Sequence, residues 1–506
     1  MRKSSISFFI GFALVAFLLS PRQLFSGSDN IETRSGVPRF TLDEAILTAL
    51  QRNPDIQRAR QEIERAKGVY LELRADILPR LDALATVQNT DPQLGVVSTG
   101  TGGGGGVSAV PTSYNLSLQA TQIVFAGGRV VSQIRGADFQ RDSAYFAFRN
   151  SIDLVIATVR QQFYQVLLNR ALIGVQEESV KLLQSQLQDQ QNRFEAGTVP
   201  RFNVLQAQVA LSNQYPDLIS ARNNYRISQL QLARTIGLDF DPARGDAAPL
   251  EAVGELRYQP RRMSLPKAIE VAKERRPFLK QSKANVLNSK AQVGVARSGF
   301  FPQISATAAE EVRSSPFSEN IRDVRNGYVF GATGSWAIWD WGQTYGRLKQ
   351  AKAILEQSKI TLDDAARQVE LEVQQAYSNL VQSAELIKSQ EQAVGQAEEA
   401  LRLASARLGA GAGTQLEVLN ARVEVTRAQS ISLQALYTYN AAVAEFDRVT
   451  ATEITFANKL DTPGTRDKVK TEAAPVPGPK PTPLPLNNAG IRQPVNRSDR
   501  HSTSGK

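Results

Sequence analysis

The sequence predicts a mainly α fold with a membrane β-barrel part, built from a helix, β-hairpin, helix unit that occurs twice. Three observations predict it. The chain aligns with itself in two ungapped stretches, each copy holds one very long helical stretch, and the strand segments alternate apolar and polar side chains with period two.

Residues 1–28 read as a secretory signal peptide, with Arg2 and Lys3, the apolar run Ile6 to Leu19 and the small polar Ser26-Gly27-Ser28. A spanning helix needs about 20 apolar residues. The first run is shorter, and no later segment is apolar for 18 residues, so any membrane insertion falls to strands.

The first repeat is expected over 39–240, a linker over 241–262 and the second repeat over 263–455. Residues 41–85 match 264–308 at an offset of 223, pairing Arg52 with Arg275, Pro54 with Pro277, Arg74 with Arg297 and Pro79 with Pro302. Residues 114–236 match 328–450 at an offset of 214, pairing Tyr114 with Tyr328, Gly128 with Gly342, Arg193 with Arg407 and Gly197 with Gly411. The first copy is nine residues longer between the stretches, at the glycine loop Thr99 to Gly106. No Gly-Lys-Ser/Thr follows these glycines, so they read as a flexible hairpin tip and not a phosphate cradle.

Around this loop Tyr114, Leu116, Leu118 and Ala120 alternate with Asn115, Ser117, Gln119 and Thr121. In the second copy Tyr328, Phe330, Ala332, Trp336 and Ile338 alternate with Gly331, Thr333 and Ser335. Partner strands are expected near 81–89 and 304–312, making four strands per chain. In an outer-membrane barrel the apolar face meets lipid and the polar face water. Tyr114, Phe125, Tyr328, Trp336, Trp339 and Trp341 lie near strand ends, where aromatic girdles meet outer-membrane lipid. Four strands fall short of the roughly eight that close a barrel, so a membrane barrel needs several chains.

The long helices carry heptad seams. Val369, Val373, Ala376, Leu380, Ser383 and Ile387, continuing to Leu408, step alternately by four and three, and the shifted seam runs from Val155 to Phe194. From Gly128 to Ala196 such a helix has 69 residues, about 100 Å at 1.5 Å per residue, which suits a rod or a tunnel wall. Each ends at a glycine turn, 195–200 or 409–414, and a helix runs back over 203–236 or 417–450. Both turns therefore lie at the end opposite the strands.

Of the net charge of +10, the proline-rich tail 459–506 carries +5 and Arg2, Lys3 and Arg22 carry +3, leaving +2 for the long body. That is no footprint for nucleic acid. The absence of cysteine excludes disulfides, thiol catalysis, thiolate metal sites and a lipid-modified N-terminal cysteine. The single histidine is His501 in the tail, so zinc and general-base chemistry lack their usual residues. No catalytic, cofactor-binding or metal residue is nominated, and no cofactor is expected.

Arg-Phe-Glu-Ala-Gly-Thr-Val-Pro-Arg-Phe-Asn-Val-Leu-Gln-Ala (193–207) and its copy Arg-Leu-Gly-Ala-Gly-Ala-Gly-Thr-Gln-Leu-Glu-Val-Leu-Asn-Ala (407–421) resemble the periplasmic hairpin signature of TolC-like outer-membrane efflux proteins. The resemblance covers about residues 39–455. It implies a homotrimer whose chains give four strands each to a twelve-stranded barrel, continued by an α-helical barrel through the periplasm. It also implies two partners, a periplasmic adaptor and an inner-membrane pump of the RND or ABC type. The protein is then the passive duct of an efflux or type I secretion system.

The resemblance places Glu417 and Asn420, with Asn203 and Gln206 in the first copy, at the narrow periplasmic aperture. One acid is kept there, and one carboxylate ring gives less cation preference than two. Phe202, Asn203, Leu408 and Gly413 stand where some relatives lock the tip with charged and tyrosine contacts, so closure is expected to rest on Phe202, Leu408 and Leu416. Gly197, Thr198, Gly411, Gly413 and Thr414 form the tips expected to meet the adaptor. The rival readings are an exported structural coiled coil without channel activity and the adaptor itself. The first lacks a reason for alternating strands with aromatic ends, the second for the duplication. An enzyme is the least supported class.

Overall fold

A computed structural model describes residues 37–89, 91, 96–97, 107–108, 112–239, 249–314 and 323–452. The signal segment 1–28, the glycine loop 99–106 and the tail 459–506 lie outside the described residues.

In chain order the elements are β1 (Arg39–Phe40), α1 (Leu42–Arg52), α2 (Pro54–Ala75), β2 (Arg80–Asn89), the short pair β3 (Val96–Val97) and β4 (Val107–Ser108), and β5 (Thr112–Ala126). Helices α3 (Arg129–Glu195) and α4 (Arg201–Ile236) complete the first repeat. After β6 (Glu251–Ala252) the second repeat runs α5 (Leu265–Arg275), α6 (Pro277–Arg297), β7 (Gln303–Ser314), β8 (Val324–Ser335), α7 (Gln343–Gly409) and α8 (Gln415–Val449).

The two copies fold alike because they carry the same local signals. Prolines open α2 and α6 at the first helical position, where the missing N–H costs nothing. Gly128 and Gly342 precede the long helices with φ of 84° and 85°, a left-handed conformation that glycine adopts without strain. The helices have 67 residues each, matching the expected 69 within the usual uncertainty of helix ends.

β2, β5, β7 and β8 form one antiparallel sheet in that order, so β2 and β8 are its edges. The two hairpin registers coincide under the duplication: Arg80 faces Thr121 and Gln303 faces Ser335. α3 packs against α1, α2, α4, α6 and α8, whereas α7 packs against α5, α6 and α8.

The heptad seams are buried over part of their length. Val369, Val373, Ala376, Leu380, Ser383 and Ile387 are buried, and all but Ser383 join Tyr439 and Phe446 of α8 in one cluster, whereas Gln390, Val394, Ala397, Leu401, Ala404 and Leu408 are half-buried. In the first copy Val155, Val159, Val166, Asn169, Val180, Leu183 and Gln190 are buried, but Phe194 at the end of the seam is exposed, and Gln186 takes the buried place expected of Leu187. A straight α-helix drifts about 20° per heptad from a 3.5-residue repeat, which moves the buried stripe over five heptads. The strand expectation also needs correction at one end. β8 stops at Ser335 and does not reach Trp336 or Ile338, because its in-chain partner β7 begins at Gln303, the residue opposite Ser335.

Candidate functional site

The hairpin tips are built by one motif used twice. Gly197 N–H donates to Phe194 O and Thr198 N–H to Arg193 O; Gly411 N–H donates to Leu408 O and Ala412 N–H to Arg407 O. This pair of bonds around a left-handed glycine is the Schellman ending, and Gly197 and Gly411 both hold φ 72°. Thr198 Oγ1 adds a bond to Arg193 O at 2.8 Å. In the second tip Thr414 caps α8 through Glu417 N–H.

The aperture candidates fall as follows. Phe202 and Leu416 are exposed, Leu408 and Gly413 are half-buried, and none of the three apolar candidates is fully covered by its own chain. Asn203, Gln206 and Glu417 are half-buried and Asn420 is exposed. Glu417 is not a lone carboxylate: Arg407 Nη1 lies 3.7 Å from it, and Arg407 also donates to Ala412 O. Five residues past Glu417, Arg422 keeps its Nε and Nη1 buried without a hydrogen-bond partner, and that burial pulls its guanidinium below the usual value. Its first-copy counterpart is Gln208, the only sequence signal that could have singled it out.

Where the helices approach the repeat linker, two ionic clusters tie the wall together, and neither was foreseen. Asp447 of α8 accepts from Arg261 Nη2 at 2.7 Å to both carboxylate oxygens and from Arg160 of α3 at 3.3 Å. Tyr439 Oη donates to Gln259 O at 2.6 Å and accepts from Arg261 N–H, which straps the linker onto α8. Nearby, Arg276 and Arg448 both pair with Glu372, and Lys273 pairs with Glu370.

Burial alone would raise the Glu372 carboxyl, but hydrogen bonds from Arg276 and Gln368 and the charges of Arg276 and Arg448 outweigh it, so its pKa lies below 4.5. A depressed carboxylate contributes stability that is complete above its unfolded pKa and is lost as pH falls through the folded one. Acid unfolding should therefore be steeper in the wild type than in Glu372→Gln below pH 4.5. Parallel pH titrations of far-UV circular dichroism check this, and superimposable curves would refute it.

The sheet separates two faces by register. One carries Leu81, Ala83, Leu116, Leu118, Ala120, Ala308, Tyr328 and Phe330, interrupted by Glu310; the other carries Asp82, Ser117, Gln119, Thr121, Thr307, Glu311 and Arg313. Among the expected girdle residues, Tyr328 lies on the apolar face with its ring 5.4 Å from that of Phe330, while Tyr114 is half-buried. Phe125 is exposed beside the irregularity at Ile123 and Phe125. Trp336, Trp339 and Trp341 fall beyond β8, in the turn to α7. Trp336 Nε1 donates to Phe300 O, and the rings of Trp339 and Trp341 meet edge to face at 5.7 Å. Trp341 is 90% exposed and holds φ 53°, where a bulky residue is strained; its first-copy counterpart is Gly127.

The outer membrane efflux protein family matches residues 45–238 and 268–452, one stretch per repeat. The chain belongs to this family. The alkaline protease secretion protein AprF of Pseudomonas aeruginosa is 26% identical over 402 residues, covering 78% of this chain and 81% of its own. The probable efflux pump outer membrane protein TtgC of Pseudomonas putida is 24% identical over 403 residues, 77% and 78% of the two chains. The crystal structure of the Campylobacter jejuni CmeC outer membrane channel superposes with a TM-score of 0.70 over 81% of this chain and 85% of that one, at 15% identity. This outer membrane efflux protein is thus an outer-membrane exit duct of the efflux and secretion class, and its relatives are channel proteins. No described helix is long and apolar enough to cross a membrane.

Proposed function

We propose that three copies of this chain close a twelve-stranded barrel in the outer membrane, continued by their long helices as a tunnel through the periplasm. The hairpin tips at 196–200 and 410–414 dock a periplasmic adaptor joined to an inner-membrane pump, RND or ABC in type, and cargo passes through without chemistry on this chain. The observation that carries the reading is the four-stranded sheet whose two edges are unpaired among the described residues, from which two 67-residue helices leave. Open edges in lipid would strand backbone groups, and only closure with further copies satisfies them. Detergent-purified protein should have the mass of three chains by light scattering and give discrete conductance steps in planar bilayers. A monodisperse, non-conducting monomer would overturn it.

At the aperture, Glu417 beside Arg407 presents a balanced pair, so three-fold symmetry multiplies a nearly neutral ring and cation preference is weak. Closure rests instead on Phe202, Leu408 and Leu416, apolar side chains that a single chain leaves uncovered in whole or part and that association brings out of water. Replacing all three by alanine should raise single-channel conductance several-fold; unchanged conductance would sink this account of closure.

A further inference from the structure

In the first repeat a groove beside α3 and α4 is filled by β6 and the residues next to it. Leu250 and Ala252 are fully buried, Gln229 Nε2 donates to Leu250 O, and Arg170 donates to Ala252 O and Gly254 O. β1 forms the edge of the groove. Glu251 N–H donates to Pro38 O, Val253 N–H donates to Phe40 O, and the Glu251 carboxylate pairs with Arg39. Leu167 and Phe163 stand 3.6 and 3.8 Å from where a Cβ on Gly254 would lie.

The second repeat duplicates the groove but not its filling. Under the offsets of 214 and 223, Phe163, Leu167, Arg170, Arg39 and Phe40 become Tyr377, Val381, Ala384, Arg262 and Met263. These five residues line an open cavity of about 590 Å³, within the range of about 300–1,000 Å³ found for binding sites. Carried past α8 at the offset of 214, Leu250, Glu251 and Ala252 correspond to Gly464, Thr465 and Arg466. That triplet lacks the two apolar side chains that fill the first groove.

We propose that this cavity is a docking groove for an extended segment of a partner protein, which adds as a parallel strand on Arg262 and Met263. The guest carries an apolar residue, an acid and a second apolar residue in succession, with the acid opposite Arg262 as Glu251 stands opposite Arg39.

Three features of the groove fit such a guest. First, the carbonyls of Arg261 and Met263, counterparts of Pro38 and Phe40, accept no hydrogen bond among the described residues. An added strand binds through such free main-chain groups. Second, the rim is positive. Arg261 is engaged by Asp447, while Arg262 and Lys388 form no ion pair among the described residues and Glu385 is the one acid of the lining. Third, both polar grips are gone, since Ala384 stands for Arg170 and Val443 for Gln229. The groove is therefore wider and more apolar than its template, with room for a side chain where the first groove holds Gly254.

The probe is the labelled peptide Pro-Leu-Glu-Ala-Val-Leu, the sequence of 249–254 with leucine for Gly254, titrated into full-length detergent-purified protein by fluorescence anisotropy. Binding should saturate, weaken several-fold when lysine replaces the peptide's glutamate, and vanish in Ala384→Trp, whose circular dichroism should match the wild type. In Arg262→Glu the preference should invert, with the lysine peptide now the tighter one. Absence of saturable binding to the wild type overturns the groove, and absence of inversion in Arg262→Glu overturns the register. The chain has no cysteine, so Ala384→Cys can carry a benzophenone without background. A crosslink from it to the chain's own residues beyond Thr452 would mean that the groove is filled from within, which overturns the partner.

Discussion

Asp447→Ala should strongly destabilise the helical body. The Asp447 side chain is 4% exposed and takes bonds from two guanidinium groups that reach it from α3 and from the linker. Arg160 is itself only 16% exposed on its side chain, so removing the carboxylate leaves a buried positive group without that counter-charge. Breaking one side of a buried pair costs about 3–5 kcal/mol. The low end applies here, because Arg261 is half exposed and regains water.

Thr452 loses its bond to the carboxylate as well, so the end of α8 should fray. Asp447→Asn retains an acceptor and should fall between the wild type and alanine. Thermal unfolding followed at the helical signal tests this, with a drop of several degrees expected for alanine and a smaller one for asparagine. Equal melting temperatures would show that the cluster carries no stability.

What the sequence revealed and what it hid follow from range. The glycine turns at the tips and the two 67-residue helices rest on residues a few positions apart, and the duplication prints each signal twice. The Asp447 cluster joins residues 186 and 287 positions apart, in a pattern the first repeat lacks, since Ala233 stands where Asp447 does. No periodicity marks such a meeting. The Glu417 pairing with Arg407 spans a turn whose backbone path sets the distance, so the aperture acid looked isolated in sequence. The end of β8 was misplaced for another reason. Alternation continues through Trp336 and Ile338, but a strand is defined by its partner, and the chain supplies none beyond Gln303.

Gly346→Phe should abolish the oligomer while leaving the single chain folded. Among the described residues nothing lies within 4 Å of a Cβ at this position, so the substitution should leave the single chain folded. In the proposed trimer this small residue on the face of α7 is open to a neighbouring copy, and a phenyl ring there holds the two apart. Overpacking a well-fitted contact costs about 1–3 kcal/mol. A closed ring of three copies has three identical contacts, so about 2 kcal/mol at each removes about 6 kcal/mol, or about four decades, from the assembly constant.

The counterpart in the first repeat gives the contrast. Ser132→Phe must fit against Gly294 inside the chain, so it should damage folding itself. Circular dichroism of the Gly346 variant should match the wild type while light scattering reports single chains and bilayers show no conductance. A conducting trimer from Gly346→Phe would mean that α7 meets its neighbour on another face.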